Sequence, residues 1–257
     1  MDTFNMVLRT IFTFRWKPGR DLIAVLVSWL LVTATLYTAT VIVTPAAGGG
    51  MPYFFLYAGL TALIFGVGLP LYWMVVVRKR TIQDLGITRK YLGISIILQI
   101  VFAFFQYLGT LAKVEMPSFD KVLPLIGLAI AIGFFEAFFW RGWVLLRLEE
   151  AFGLIPAVIL GSVLYAFYHI GYGMPMTEIA FLFIIGVLYA VTFRITKNIF
   201  LLWPFFQPMG QMVTLLKDGL ALPVLAFVGF LEAFILMAVL VWLAYRYTKK
   251  HQAPMAK

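Results

Sequence analysis

The stretch Phe134–Trp143 reads FFEAFFWRGW and places Glu136 and Arg141 five residues apart in a run that is otherwise apolar and aromatic. A run of this composition is typical of a membrane-spanning helix. An ionised side chain at the centre of a bilayer costs about 2.5–3.5 kcal/mol on insertion scales unless it finds a partner or water. Ionisable residues at membrane depth are therefore candidate functional residues, and Glu136 is the first of them.

The composition of the whole chain indicates a polytopic membrane protein. Of its 257 residues, 63% are hydrophobic and 12% are charged, with a mean hydropathy of +0.98, whereas soluble domains are about half apolar and a quarter charged. The net charge of +9 lies in short inter-helix segments and tails, which favours anionic lipid head groups over nucleic acid as the partner. The lack of cysteine excludes disulfides, thiol catalysis and thiolate metal sites.

The apolar segments of the chain predict its fold class. Each segment is near the ~20 residues that cross about 30 Å of hydrocarbon, and none shows the alternation of a membrane β-strand, so we predict helices. The eight predicted spans are 22–44, 52–77, 92–112, 122–147, 154–171, 178–193, 198–216 and 221–244. The predicted fold is all-α, a polytopic membrane bundle of about eight transmembrane helices around a polar cavity.

The basic residues predict the orientation of the chain in the membrane. We expect a basic N-terminal arm at 1–21, one transmembrane domain at 22–247 and a basic tail at 248–257. With the N-terminus inside, 17 of the 20 Lys and Arg residues fall on inner segments. The three on outer segments are Lys113, Lys121 and Lys217. The positive-inside rule then places both termini in the cytoplasm, and we predict a multi-pass protein of a prokaryotic cell membrane.

Two further residues accompany Glu136 in the apolar segments as candidates for chemistry. Arg141 lies about 7.5 Å beyond Glu136 along the same helix. The two residues could form a structural ion pair, or Arg141 could reach the inner interface, or Glu136 could act as a general base. His169 lies four residues after Tyr165, on the same helical face. A buried histidine is more often a hydrogen-bonded core residue than a catalyst, so both interpretations stay open.

The seventh predicted span contains two glutamines on one helical face. Gln207 and Gln211 are i,i+4, and Pro204 and Pro208 beside them each remove a backbone donor. Intramembrane amides can hold helices together, or they can donate to a developing oxyanion. In the last span, Glu232 is either a counter-ion for the arginine of the fourth span or a second line of the cavity.

Taken together, these residues resemble the motifs of the CPBP intramembrane protease family, which includes the CAAX prenyl endopeptidases and Abi-type proteins. The resemblance covers roughly residues 80–211, within a CPBP-like core of about 80–216. The family motifs Glu-Glu-x-x-x-Arg, Phe-x-x-x-His and His-x-x-x-Asn are matched by Glu136-Ala-Phe-Phe-Trp-Arg141, Tyr165-Ala-Phe-Tyr-His169 and Gln207-Pro-Met-Gly-Gln211. The chain departs from the motifs at Ala137, Gln207 and Gln211.

The resemblance implies an intramembrane endopeptidase. Glu136 and His169 would activate a water, Arg141 would be an accessory cation, and Gln207 with Gln211 would stabilise the oxyanion. The substrate would be a peptide or the C-terminal tail of a lipid-anchored protein. Because three motif positions are substituted, the alternative is a catalytically silent relative that acts as a scaffold, immunity or regulatory protein with a membrane-protein partner. A third alternative is transport through the cavity.

We expect no cofactor in the candidate site. A catalytic zinc needs about three His or carboxylate ligands and an open position. Only Glu136 and His169 stand at matching positions, and glutamine is a poor zinc ligand. If zinc is bound at all, these two residues would be its ligands.

Overall fold

The computed structural model describes residues 12–47, 50–217 and 219–251, and the regular elements in these ranges are all helical. Within them, seven helices are long and apolar enough to cross a membrane. We number the helices α1 Arg20–Ala46, α2 Gly50–Val77, α3 Leu92–Lys113, α4 Phe119–Phe152, α5 Leu154–Tyr172, α6 Met176–Thr196, α7 Phe206–Lys217 and α8 Ala226–His251. The predicted all-α membrane bundle is confirmed, and the chain is an integral multi-pass membrane protein.

The segment 198–216, predicted as one span, is a broken and shorter element. A 3₁₀ turn at Ile199–Leu201 is followed by a turn and then by α7, which has only 12 residues. Such a helix rises about 18 Å, less than the roughly 30 Å of a hydrocarbon core. Pro204 lies in the break, where its ring and missing N–H disfavour a continuous helix. The prediction of a single helix here is therefore corrected, and the described chain has seven helices of spanning length.

Helix α4 contains Glu136 and Arg141, and protein covers most of its surface. In its most apolar window 78% of the residues are buried, against 17% in α3 and in α8. The exposed apolar faces of α3 and α8 are those expected of helices that face lipid. Directly after Glu136, α4 changes to π-helical turns over Ala137–Leu145. Turns of this kind also occur in α1 and α2, over Thr38–Val43 and Phe55–Gly68, so they do not by themselves mark a site.

The contacts divide the chain into two compact units. The first comprises Met1–Pro70 and Phe139–Arg194, and the second comprises Leu71–Phe138 and Ile195–Lys257. In the first unit, indole N–H groups link the helices. Trp143 Nε1 of α4 donates to Ser28 Oγ of α1 at 2.9 Å, and Trp29 Nε1 of α1 donates to the Leu164 carbonyl of α5 at 2.9 Å. Because water is absent from hydrocarbon, these bonds satisfy groups that would otherwise be buried without a partner.

The N-terminal arm is tied to the end of α4. The backbone N–H groups of Arg15 and Lys17 donate to the carbonyls of the last two residues of α4 at 3.0 and 2.9 Å, where a helix leaves carbonyls without intrahelical partners. Gly153 follows with φ +91°, and a Cβ there would collide with the carbonyl oxygen of Thr13.

The first eleven residues of the predicted arm and the last six of the predicted tail lie outside the described residues.

In the second unit, polar contacts position the segment that leads into α7. Asn198 Nδ2 donates to the carbonyls of Thr88 and Lys90 at 2.8 and 3.1 Å. Five residues later, Trp203 Nε1 donates to the Ile130 carbonyl of α4 at 3.0 Å. These bonds fix the start of α7 against the first half of α4, where the candidate site lies.

Candidate active site

The candidate site of the second unit is a buried carboxylate that accepts two amide hydrogen bonds. Glu136 is 4% exposed, and its Oε2 accepts from Gln207 Nε2 at 2.7 Å and from Gln211 Nε2 at 3.0 Å. Gln207 is also buried, with 1% of its surface exposed. Hydrogen bonds to an ionised carboxylate are shorter and stronger than those between neutral groups. The two glutamines therefore hold Glu136 by one oxygen.

Local sequence explains why these three side chains meet. Gln207 and Gln211 are one turn apart on α7 and so face α4 together. On α4, Gly133 lies three residues before Glu136, and a Cβ there would lie 2.5 Å from Pro208 Cγ of α7. A glycine at this position lets the two backbones approach closely. Sequence reasoning missed Gly133, although a small residue one turn from an intramembrane acid was a usable signal.

The orientation of the two amides follows from the carboxylate. A carboxylate oxygen only accepts hydrogen bonds, so Nε2 of each glutamine must point toward Glu136. The Oε1 atoms of Gln207 and Gln211 are buried and accept no hydrogen bond from the described residues. Each amide nitrogen carries two N–H groups, so one N–H can hold Glu136 while the second is directed elsewhere.

His169 lies at the end of α5 in the first unit, among tyrosines. Its Nδ1 is 2.9 Å from the Tyr165 carbonyl oxygen, and its ring centroid lies 5.0, 4.2 and 5.6 Å from those of Tyr165, Tyr168 and Tyr172. A carbonyl oxygen can only accept, so Nδ1 carries the hydrogen and, in the neutral ring, Nε2 carries the lone pair. The residue is 5% exposed.

Arg141 is also buried in the first unit, with 1% of its surface exposed. Its Cζ lies 4.9 Å from the centre of the Tyr165 ring and 5.9 Å from that of Tyr189. These distances are typical of cation–π contacts, which stabilise a guanidinium away from water. The guanidinium is therefore held among aromatic rings inside the first unit. Tyr189 on α6 is a contact that sequence spacing did not indicate.

The five predicted site residues thus form two groups. Glu136, Gln207 and Gln211 meet in the second unit, and Arg141 and His169 both contact Tyr165 in the first. The roles predicted for them, and the pairing of Glu136 with His169, stay predictions. Glu232, in contrast, is exposed on α8 and lies outside both groups.

Comparison with known families supports the resemblance seen in the motifs. Residues 118–206 match the family model described as type II CAAX prenyl endopeptidase Rce1-like. We call the matched residues the Rce1-like segment, after the family that they resemble. This segment contains the Glu136–Arg141 motif and His169, and it ends one residue before Gln207. No curated protein and no solved structure is significantly similar to the chain.

The Rce1-like segment and the residues after it do not fit a zinc site. In the part of the chain that the structure describes, no three His, Asp or Glu side chains lie in a group that could hold a metal ion. In addition, Oε2 of Glu136 accepts from two amide donors, which leaves at most the other carboxylate oxygen to direct a lone pair at a metal. We therefore derive no step through a metal, and metal independence stays a prediction to be tested.

Proposed function

We propose that the protein is an intramembrane endopeptidase that hydrolyses a peptide bond of a membrane-associated substrate with an activated water. The observation that supports this most is the buried carboxylate of Glu136, held by Gln207 and Gln211. This carboxylate lies in the segment that resembles the Rce1-like family, whose description is that of a prenyl endopeptidase. An ionisable residue at membrane depth is a functional candidate by default, and this one has two built-in hydrogen-bond partners.

In this proposal, Glu136 is the general base. It accepts a proton from a water as the water oxygen bonds to the scissile carbonyl carbon, and it later returns the proton to the leaving amine. The two amides bonded to Oε2 restrict the rotation of the carboxylate. A carboxylate fixed in this way needs little reorganisation to reach the reacting geometry.

The glutamines also supply donors for the oxyanion. One N–H of each amide bonds to Glu136, and the second N–H of the same nitrogen can donate to the negative oxygen of the tetrahedral intermediate. Each glutamine amide would therefore contact both the general base and the oxyanion. Gln207 is the better placed of the two, since its bond to Glu136 is shorter and its side chain is more buried.

The role of His169 is carried over from the family resemblance. With its Nδ1 hydrogen bonded to the Tyr165 carbonyl, the neutral ring presents its lone pair at Nε2. Such a nitrogen can accept a proton from the same water or pass it on. In this proposal Arg141, buried among tyrosines, is an accessory cation.

The proposed substrate is a peptide or the C-terminal tail of a lipid-anchored protein. Such a substrate would reach the site from within the bilayer, between helices, because both groups of candidate residues are buried. A prenylated tail is the substrate class that the family name suggests.

A second candidate function is that of a catalytically silent scaffold or regulatory membrane protein. The observation that favours it is the engagement of both glutamine amides with Glu136. An alanine, Ala137, also stands where the family motif has its second glutamate. In this case the three polar residues only tie α7 to α4.

Replacement of the base distinguishes the two functions. The protein is reconstituted in vesicles and offered lipid-anchored and unmodified peptides, and cleavage is followed by mass spectrometry. Glu136→Gln keeps an oxygen that can accept from both glutamines but is a far weaker base than a carboxylate. We expect it to abolish cleavage, whereas the matched control Glu115→Gln, at an exposed loop position, should cleave normally. If the unaltered protein cleaves no peptide and Glu136→Gln retains its fold, the scaffold is the correct function.

A further inference from the structure

The outward face of α8 carries an acid in an otherwise apolar stripe. Glu232 is exposed, and so are Val228, Ile235, Leu236 and Val239, which lie three, four or seven residues from it. On a helix these positions share one face. The apolar neighbours are 42–55% exposed. A carboxylate therefore projects from a surface whose other side chains suit hydrocarbon.

The depth of this acid follows from an anchor further along the same helix. Trp242 is 53% exposed, and the guanidinium carbon of Arg246 lies 5.4 Å from the centre of its ring. Exposed tryptophan with a neighbouring arginine is typical of the membrane interface. Glu232 lies ten residues before Trp242, which is about 15 Å along the helix axis, or half of a hydrocarbon core. The carboxylate is thus near the middle of the bilayer.

Nothing in the described part of the chain compensates this acid. Among the described residues, Glu232 has no hydrogen-bond or ion-pair partner. A carboxylate at the bilayer midplane is unfavourable against lipid alone, and such residues usually pair with an opposite charge or a donor on another helix. The groups of residues that form the candidate active site do not include it, so the proposed chemistry gives no reason for its presence.

We propose that this face of α8 is a docking surface for a transmembrane helix of a partner protein that carries a basic residue at mid-membrane depth. Charge complementarity identifies the occupant, because an Arg or Lys at that depth has the same need for a counter-ion as Glu232. The apolar side chains around Glu232 provide the packing surface, and the ion pair selects the partner and its register. This surface is independent of the proposed protease activity.

The test uses a defined probe and the full chain. Because the chain has no cysteine, Lys250→Cys can carry a single donor fluorophore in vesicles. The probe is a synthetic Leu/Ala transmembrane peptide with one central Arg and an acceptor fluorophore, and its control has Leu in place of Arg. We expect the Arg peptide to bind the unaltered chain about tenfold more tightly than it binds the Glu232→Leu variant. A tenfold difference is the scale of an interhelical polar contact. The Leu peptide should bind both equally.

Three further experiments test whether the surface is specific. Glu232→Gln should lose most of the preference for the Arg peptide, and retention would show that charge is not the determinant. The double variant Glu232→Leu with Ile100→Glu moves the acid to another exposed face, on α3, and should not restore binding. Full restoration would mean that any lipid-facing acid binds the probe, which overturns a specific surface. Photobleaching that shows dimers of the unaltered chain but monomers of Glu232→Leu would make a second copy the occupant and overturn the proposal.

Discussion

The side-chain amide of Gln207 donates to Oε2 of Glu136 over 2.7 Å, so that α7 holds a carboxylate of α4 that lies 71 positions earlier in the chain. Gln211 donates to the same oxygen at 3.0 Å. The contact joins the first predicted motif to the third, at the positions where this chain departs from the family pattern. Whether it supports chemistry or only helix packing can be measured.

Loss of the Gln207 amide should reduce catalysis more than stability. If its second N–H stabilises the oxyanion, Gln207→Ala should lower kcat by about 10²–10³. Thermal unfolding in detergent should change little, because an intramembrane hydrogen bond contributes about 0.6 kcal/mol on average. Gln211→Ala is the matched variant and should have the smaller effect on rate, since its bond is longer. A loss of stability without a loss of rate would assign both glutamines to helix packing.

Gly133 should be required for the approach of α7 to α4. In Gly133→Ala the new Cβ would lie 2.5 Å from Pro208 Cγ, and such overpacking costs about 1–3 kcal/mol. We expect a lower unfolding temperature and weaker cleavage, because Glu136 loses its correct distance to both amides. The control is Gly93→Ala in α3, where a Cβ meets nothing within 4 Å. That variant should be neutral or more stable, since Ala is favoured over Gly in a helix. Equal stability of the two variants would contradict the close approach.

The contact between the N-terminal arm and α4 should depend on Gly153. Gly153→Ala places a side chain at φ +91° and against the carbonyl of Thr13, and strain of this kind costs about 1–3 kcal/mol. The arm should detach more often, so trypsin cleavage after Arg15 should accelerate at least about fivefold. Gly19→Ala, with open space around its Cβ, should cleave at the original rate. An unchanged rate in Gly153→Ala would show that the arm is not held there.

Both termini should be cytoplasmic, which requires the segment 198–217 to cross the membrane as a broken helix. Single cysteines at Lys79 and Lys250 should be labelled by an impermeant reagent from one side, and a cysteine at Lys113 from the other. The expectation rests on the 17-to-3 distribution of basic residues. If Lys250 and Lys113 are labelled from the same side, the chain crosses seven times and the termini lie on opposite sides.

Cleavage should not depend on a bound metal. Chelators that remove zinc should leave the rate unchanged, because the described residues around Glu136 supply amide donors and not a set of metal ligands. Activity lost on chelation and recovered with zinc, but not with magnesium, would contradict the proposed mechanism.

Hydropathy and motif spacing were enough to predict the class of the protein and its candidate residues. Hydrophobicity is a local property, so the apolar runs located helices α1 to α6 to within five residues at either end and α8 to within seven. The Glu136–Arg141 and His169 motifs predicted the family that the match over residues 118–206 supports. The positions of Gln207 and Gln211 were also visible in the sequence. Their i,i+4 spacing placed them on one face of a helix.

What those residues contact depends on the packing of helices that are distant in the chain. The meeting of Gln207 with Glu136 depends on a glycine on α4 that admits a proline of α7, and no local pattern reports such a fit. The 198–216 segment was misjudged as one span because hydropathy registers apolar length but not the helix break at Pro204. From the sequence, Glu232 is either a counter-ion for Arg141 or a second line of the cavity, whereas in the structure its face of α8 is exposed. Which face of an apolar helix is covered depends on the packing of distant segments, and in hydrocarbon an apolar pattern alone does not distinguish the inner face from the outer one.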